Sequence, residues 1–262
     1  MQNQALVQGV KMDNTKLFST RGASYEHARP GYPDALIDYL YGELGFSEAN
    51  AIADVGSGTG KFSQQLLERG SRVFCVEPND EMRAIAEKKL SRYEGFISVN
   101  GTSSDTGIRE KIDAITAAQA FHWFDRNEFH KECRRLLVSG GKVCLIWNLR
   151  VPDTDITVAC REVFHKYCPR FIDFNIGMRE DAPEVFEFFG GRDHCDKTVF
   201  ENELSFDEEL FVERYLSSSY SLRDSDSCYE ECIQSVRDIF AHFSIDGLVK
   251  IPNQSICYSG QV

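Results

Sequence analysis

The run Ile52-Ala53-Asp54-Val55-Gly56-Ser57-Gly58-Thr59-Gly60-Lys61-Phe62 constrains this chain more than any other stretch. A short apolar strand passes directly into a glycine-rich turn, and the spacing of Phe62, Leu66 and Leu67 predicts a helix over 62–69. Strand, glycine turn and helix together make a nucleotide-type binding unit. Glycine is needed there because the chain turns with φ values closed to other residues, and because a ligand approaches bare backbone where no Cβ stands. The helix then aims its first N–H groups at whatever lies over the turn, which favours a carboxylate or another acceptor.

The glycine spacing separates two chemistries. The dinucleotide fingerprint is G-x-G-x-x-G, whereas Gly56, Gly58 and Gly60 place the third glycine one position early, with Lys61 where that fingerprint wants glycine. No Gly-Lys-Ser/Thr closes the run, so a phosphate-cradling P-loop is absent as well. Asp54 stands at the strand end, and Glu77 followed by Pro78 ends the next apolar run, Arg72-Val73-Phe74-Cys75-Val76. That is about 20 residues on, where such folds place the carboxylate that takes both ribose hydroxyls. Together Asp54, Gly56, Ser57, Gly58, Gly60, Glu77 and Pro78 resemble the cofactor site of class I S-adenosylmethionine-dependent methyltransferases.

A second signature lies just upstream. Tyr25-Glu26-His27-Ala28-Arg29-Pro30-Gly31-Tyr32-Pro33 resembles the Y-x-x-x-R-P-x-Y-P segment of a small-molecule group within that family, of the trans-aconitate and ubiquinone-biosynthesis type. The resemblance implies that Tyr25 and Arg29 reach the amino-acid end of the cofactor and that Tyr32 lies near the acceptor. The alternative is that these side chains only pin the N-terminal arm to the core. Pro33 suits the first turn of a helix carrying Leu36, Ile37, Leu40 and Leu44. After a cap at Asn79 or Asp80, Met82, Ile85, Ala86 and Leu90 form one buried helix face. The resemblance places Met82 against the adenine, although a methionine at helical spacing also serves as plain core. Beyond the strand 96–99, relatives carry an acidic residue and then alanine where this chain has Thr102-Ser103. Thr102, Ser103 or Asp105 is therefore left to supply the hydrogen bond to the base.

The fourth strand, 112–118, ends in Gln119-Ala120-Phe121-His122-Trp123-Phe124. Ligands of open α/β sheets bind beyond the carboxyl ends of the strands, so this tail faces the same crevice as the glycine turn. It too resembles the group's corresponding segment, which implies that Gln119 and Phe121 line the methyl-donor side and that His122, Trp123 and Trp147 line the acceptor side. Aromatic faces attract a sulfonium cation. His122 is read either as a general base or as a structural histidine.

Up to Leu149 strands and helices alternate, with a helix over 126–137 closed by Gly140-Gly141 and a strand over 142–147. The fold expected is a Rossmann-like α/β domain: a seven-stranded, mostly parallel sheet, helices on both faces, an N-terminal arm and a helical cap. Residues 1–24 are read as a flexible N-terminus and 25–262 as one domain, with 25–150 binding cofactor, 151–245 forming the cap and late helices, and 246–262 the last strand. Within the late region, helices are expected over 156–168, 185–189, 207–216 and 228–243, and strands over 198–204 and 255–260.

At 262 residues the chain is long enough for one sizeable core. A formal net charge of −12 argues against nucleic acid, whose binding draws on lysine and arginine. Nine cysteines are scattered without a C-x-x-C or a zinc spacing, so no metal is expected and a reducing compartment is. With no apolar run near the ~20 residues of a membrane span and no signal-peptide core, a cytoplasmic monomer or homodimer away from the membrane is the expectation. The function expected is methyl transfer from S-adenosylmethionine, leaving S-adenosylhomocysteine, to a small-molecule acceptor. Arg150, Arg161, Arg170, Arg179 and Arg192 make an organic acid the first acceptor to test. A cofactor-binding regulator without turnover and an NAD-dependent oxidoreductase are the rival readings, the second opposed by the glycine spacing.

Overall fold

The computed structural model describes residues 31–174, 182–218 and 220–262. Helix α1 (Asp34–Gly42) leads into β1 (Ala51–Val55), α2 (Lys61–Glu68), β2 (Arg72–Val76), α3 (Asp80–Leu90), β3 (Phe96–Val99) and β4 (Ile112–Ala118). A 3-10 turn at Phe121–Trp123 precedes α4 (Arg126–Leu136) and β5 (Leu137–Arg150). Then come α5 (Asp155–Tyr167), α6 (Pro183–Phe188), β6 (Cys195–Glu201), β7 (Leu204–Phe206), α7 (Glu208–Leu216), α8 (Tyr229–Phe243), β8 (Val249–Ile251) and β9 (Asn253–Gly260).

Seven strands form one sheet in the order β3-β2-β1-β4-β5-β9-β6. The first five run parallel, and β9 lies antiparallel between β5 and β6. This is the Rossmann-like α/β sheet expected from the sequence. All five residues of β1 are buried, as an interior strand covered on both faces requires. One face packs on α4 and α6 through Phe129, Leu136, Trp147, Val185 and Phe188. The other packs on α1, α2 and α3 through Leu36, Leu40, Phe62, Leu66 and Leu90. Because β2 and β3 lie on one side of β1 and β4 and β5 on the other, the strand order reverses between β1 and β4. A crevice opens beyond the carboxyl ends of strands at such a reversal, and the glycine turn sits there.

Side-chain caps fix three helix starts. Asn79 accepts from the Met82 N–H at 3.0 Å, Asp125 from Asn127 and Glu128, and Asp207 from Leu210. Each such cap is worth about 1 kcal/mol. The third core cluster belongs to the later chain, where Phe164, Phe171, Phe206, Phe211, Tyr215 and Phe240 join α5, α7, α8 and the β7–β8 pair.

The details differ from the sequence reading at several points. Pro33 is the cap residue of α1 rather than its first helical residue, and the helix stops at Gly42, before Leu44. β5 is more than twice as long as expected and pairs irregularly with β4 between Ile112 and Ala114. The single strand expected over 198–204 is two, β6 and β7, in different sheets. Pro252 explains the break: it separates their partners β9 and β8 and has no N–H to continue the ladder. Among the described residues no helix is long and apolar enough to cross a membrane.

Candidate cofactor and acceptor site

The glycine turn is held to the neighbouring strand, since the N–H groups of Gly56 and Ser57 both donate to the Val76 carbonyl, at 2.8 and 3.1 Å. Gly56, Gly58 and Gly60 have φ of 72°, 58° and 77°. Their surroundings differ. A Cβ on Gly56 would stand 2.6 Å from the Ala120 Cβ, and one on Gly60 2.5 Å from Leu90 Cδ1. Among the described residues, one on Gly58 would meet only the Met82 sulfur, at 4.0 Å. Two glycines thus let the turn pack, and the third leaves a hollow floored by Met82, which is otherwise buried.

Asp54 lies under the turn. Its carboxylate accepts from the Ser63 hydroxyl at 2.5 Å and the Thr116 hydroxyl at 2.8 Å, joining β1 to α2 and β4. Burial pushes its carboxyl up to about 6, the two hydroxyls oppose that rise, and the nearby Glu77 charge adds to it. Asp54, expected from the sequence to bind the cofactor, supports the turn from beneath through these bonds. Glu77 is placed differently. One of its oxygens accepts from the Gly58 N–H and the other from the Asn79 N–H, both at 2.9 Å. Burial raises its pKa, and those two N–H groups and Arg83 act against the rise. The carboxylate is thereby locked beside the hollow, and each oxygen keeps a second acceptor direction.

The adenosyl group expected from the sequence fits these residues. The Ser57 hydroxyl is buried with no hydrogen-bond partner among the described residues, an orphan of the kind that a ligand satisfies. The first turn of α2 starts at Gly60 without a side-chain cap, and the Ser63 N–H in it donates to the buried Asp54 carboxylate. Glu77 and Gly58 would hold the ribose and Met82 would lie under the base; Pro78, which follows Glu77, is half-buried. Thr102 is exposed and Ser103 half-buried in the loop after β3. That loop adjoins Glu77, whose N–H donates to Val99 at 3.1 Å.

The tail of β4 divides into an inner and an outer part. Gln119 has φ of 57°, a left-handed conformation that costs a non-glycine residue about 1–3 kcal/mol and that collects at functional sites. It is held by its own N–H to Ile146 at 2.8 Å and by its side-chain amide to the Asn148 carbonyl at 3.0 Å. Phe121, 2% exposed, packs edge-on against Trp147 and Phe188 with centroids 6.1 and 5.1 Å away. Trp147, 1% exposed, also meets Tyr258. Both were expected to line the site and both are core. The alternation of β5 directs Trp147 into the α4 and α6 layer, and the 3-10 turn swings Phe121 the same way. His122 and Trp123 point outward, their rings 4.9 Å apart, and Trp123 is 50% exposed. Tyr32 is half-buried edge-on to Phe62 at 4.8 Å, and its carbonyl accepts from Gln65 at 2.9 Å. Tyr25 and Arg29 lie outside the described residues.

One polar group at this end of the sheet escaped the sequence reading. The Asn148 amide donates to the Gly31 carbonyl at 3.2 Å and its oxygen accepts from Ser255. The Asn202 amide reaches Gly31, Asn148 and Ser255 at 3.1, 3.3 and 3.1 Å. These contacts fasten the chain entering α1 to β5 and β9. Asn148 had a signal, because it ends an apolar strand as Asp54 and Glu77 do; Asn202 had none.

Residues 53–145 match a family model described as a methyltransferase domain. An uncharacterised methyltransferase of the fission yeast Schizosaccharomyces pombe is 30% identical over 177 residues, 67% of this chain and 68% of the relative. An uncharacterised methyltransferase of Mycobacterium tuberculosis is 33% identical over 141 residues, 53% of this chain and 55% of that protein. Among solved structures, a candidate type II methyltransferase from Anaeromyxobacter dehalogenans superposes with TM-score 0.60 at 21% identity, covering 89% of this chain and 97% of that one. An S-adenosylmethionine-dependent methyltransferase from Geobacter sulfurreducens, solved with S-adenosyl-L-homocysteine, gives 0.52 at 16% identity, covering 94% and 98%. At these identities the superpositions show the fold.

Proposed function

Since the chain belongs to the S-adenosylmethionine-dependent methyltransferases, we propose that it methylates a small-molecule acceptor, an organic acid being the class to test first. The cofactor, when bound, supplies a methyl group activated on sulfonium sulfur. The observation that carries the placement of the site is the Glu77 carboxylate, locked by the Gly58 and Asn79 N–H groups beside the hollow at Gly58. From that placement the outward pair His122 and Trp123 flanks the acceptor side, at the same carboxyl end of the sheet. His122 serves as base or as an orienting group according to the acceptor, because a carboxylate is already a nucleophile and a hydroxyl is not. Most of the acceleration then rests on holding donor and acceptor in line within a cleft that excludes water. Of the five arginines that suggest an anionic acceptor, Arg150 is buried at the carboxyl end of β5, over the Phe174 and Tyr215 rings. Arg161 instead pairs with Asp173 on the surface, Arg192 covers Phe186, Arg170 is exposed, and Arg179 lies outside the described residues.

The test has two arms. Calorimetric titration of S-adenosylhomocysteine should show Glu77→Ala weaker by at least tenfold, because charge-assisted hydrogen bonds are worth ~1.5–3 kcal/mol each. Equal affinity in parent and variant would remove Glu77 from the cofactor site. Labelled S-adenosylmethionine incubated with a panel of di- and tricarboxylic acids should pass label to the low-molecular-weight fraction; label passing only to added protein would overturn the small-molecule reading.

A further inference from the structure

The loop between β3 and β4 starts beside Glu77, yet what holds it is α4, on the opposite face of the sheet from α3. Its tip is folded tightly: the Thr102 N–H donates to the Asp105 carbonyl at 2.8 Å, and the Asp105 N–H returns to the Thr102 hydroxyl at 3.2 Å. Gly101 tucks beneath Thr106, where a Cβ would stand 2.3 Å from the Thr106 oxygen. The anchor is Glu132 of α4, 6% exposed. Its Oε1 accepts from both the N–H and the hydroxyl of Thr106, at 2.9 and 2.6 Å. Arg135 grips the same carboxylate with Nε and Nη2, each at 2.7 Å, and Nη2 also donates to the Ile108 carbonyl at 2.9 Å. Burial pushes the Glu132 carboxyl up, but the bonds from Arg135 and Thr106 outweigh it and hold the group below its usual range.

A loop that needed only to be covered could be held by apolar contacts, which fix burial without fixing height or rotation. Three charge-assisted bonds to two residues of the loop, Thr106 and Ile108, backed by two between Arg135 and Glu132, fix both. The loop begins where Val99 meets the Glu77 N–H, so its register against the ribose carboxylate is set at one end by the sheet and at the other by Glu132.

We propose that Glu132, with Arg135, is a positioning residue for base recognition. Through Thr106 it sets the 102–105 tip at the height from which Thr102 or Ser103 meets the 6-amino edge of adenine. The proposal rests on the reading that the hollow at Gly58 takes the adenosyl group. It also accounts for a chain with no acidic side chain at positions 102 and 103, since a backbone or hydroxyl group reads the edge only when its loop is held still.

The experiment compares S-adenosylhomocysteine with S-inosylhomocysteine, which carries a 6-oxo group in place of the 6-amino group. The parent should prefer the adenine compound by about tenfold or more, the worth of one or two directional hydrogen bonds. Glu132→Gln and Thr106→Val should bring that ratio close to one, while Thr106→Ser, which restores the hydroxyl, keeps it. Where Glu132→Gln does not fold, Thr106→Val and Thr106→Ser carry the comparison. If the variants weaken both compounds by the same factor, or neither, the clamp is structural only and the proposal fails. A parent that does not discriminate also overturns it. Loss of cofactor binding in Glu77→Ala tests the placement of the adenosyl group separately, so the two failures are distinguishable.

Discussion

Asp54 shows how a buried carboxyl group holds a turn to its neighbours. Its pKa, pushed up to about 6 by burial, lies well above the ~4 of an exposed aspartate in the unfolded chain. Stabilisation from the folded carboxyl is therefore complete below pH ~4. It declines as pH rises towards 6, because the unfolded chain ionises first, and is constant above that; the loss is on the order of 2–3 kcal/mol. Urea midpoints of parent and Asp54→Asn, measured from pH 4 to 7, should diverge across that window in favour of the variant. A difference that stays constant with pH would show that Asp54 does not titrate in this way. The same residue marks the limit of what the sequence discloses. Asp54, Gly56, Gly58 and Glu77 could be read as a unit from their spacing, but that the Asp54 carboxylate is taken up by side chains of the fold depends on Ser63 and Thr116. Those are an ordinary helix serine and strand threonine until the packing brings them together. Phe121 and Trp147 make a related point: an aromatic residue at a strand end fits a pocket wall and a core equally well, and only the direction of the side chain decides.

The strand–turn–helix unit makes a prediction that its three glycines answer differently. Gly58→Ala should fold with a cost of about 1–2 kcal/mol for a left-handed alanine, yet bind S-adenosylhomocysteine at least tenfold more weakly, because the new methyl group stands in the hollow. Gly56→Ala and Gly60→Ala meet Ala120 and Leu90 at under 3 Å, so they should lose several kcal/mol of stability before binding is considered. Thermal melts alongside calorimetry separate these outcomes; equal melting losses at all three positions would contradict the geometry. Elements up to β5 were legible because helical and strand periodicities alternate there without interruption. The later elements were found but not their partners. The β7–β8 pair is three residues to a strand, too short for a period to show, and the break at Pro252 matters only once β9 is known to run between β5 and β6.

At the scale of the whole molecule, α5, α7, α8 and the small β7–β8 sheet pack chiefly on one another, around their own aromatic cluster. Arg150 bridges them to β5 through the Tyr215 hydroxyl at 3.1 Å. Units that keep their contacts to themselves open on their own. Native-state hydrogen exchange should therefore find amides of α5, α7 and α8 released together at lower free energy than those of β1, β4 and β5. A single common opening for cap and sheet would show that the two are one cooperative unit. The position of β9 has a further consequence, for the order in which the chain can assemble. The outer edge of β5 is completed by a strand that follows only after residues 151–252. At 5–20 residues per second a ribosome takes roughly 5–20 s to supply it. For that interval the nascent sheet shows an unpaired edge running through Cys144, Leu145, Ile146 and Trp147, a template for any neighbouring extended chain.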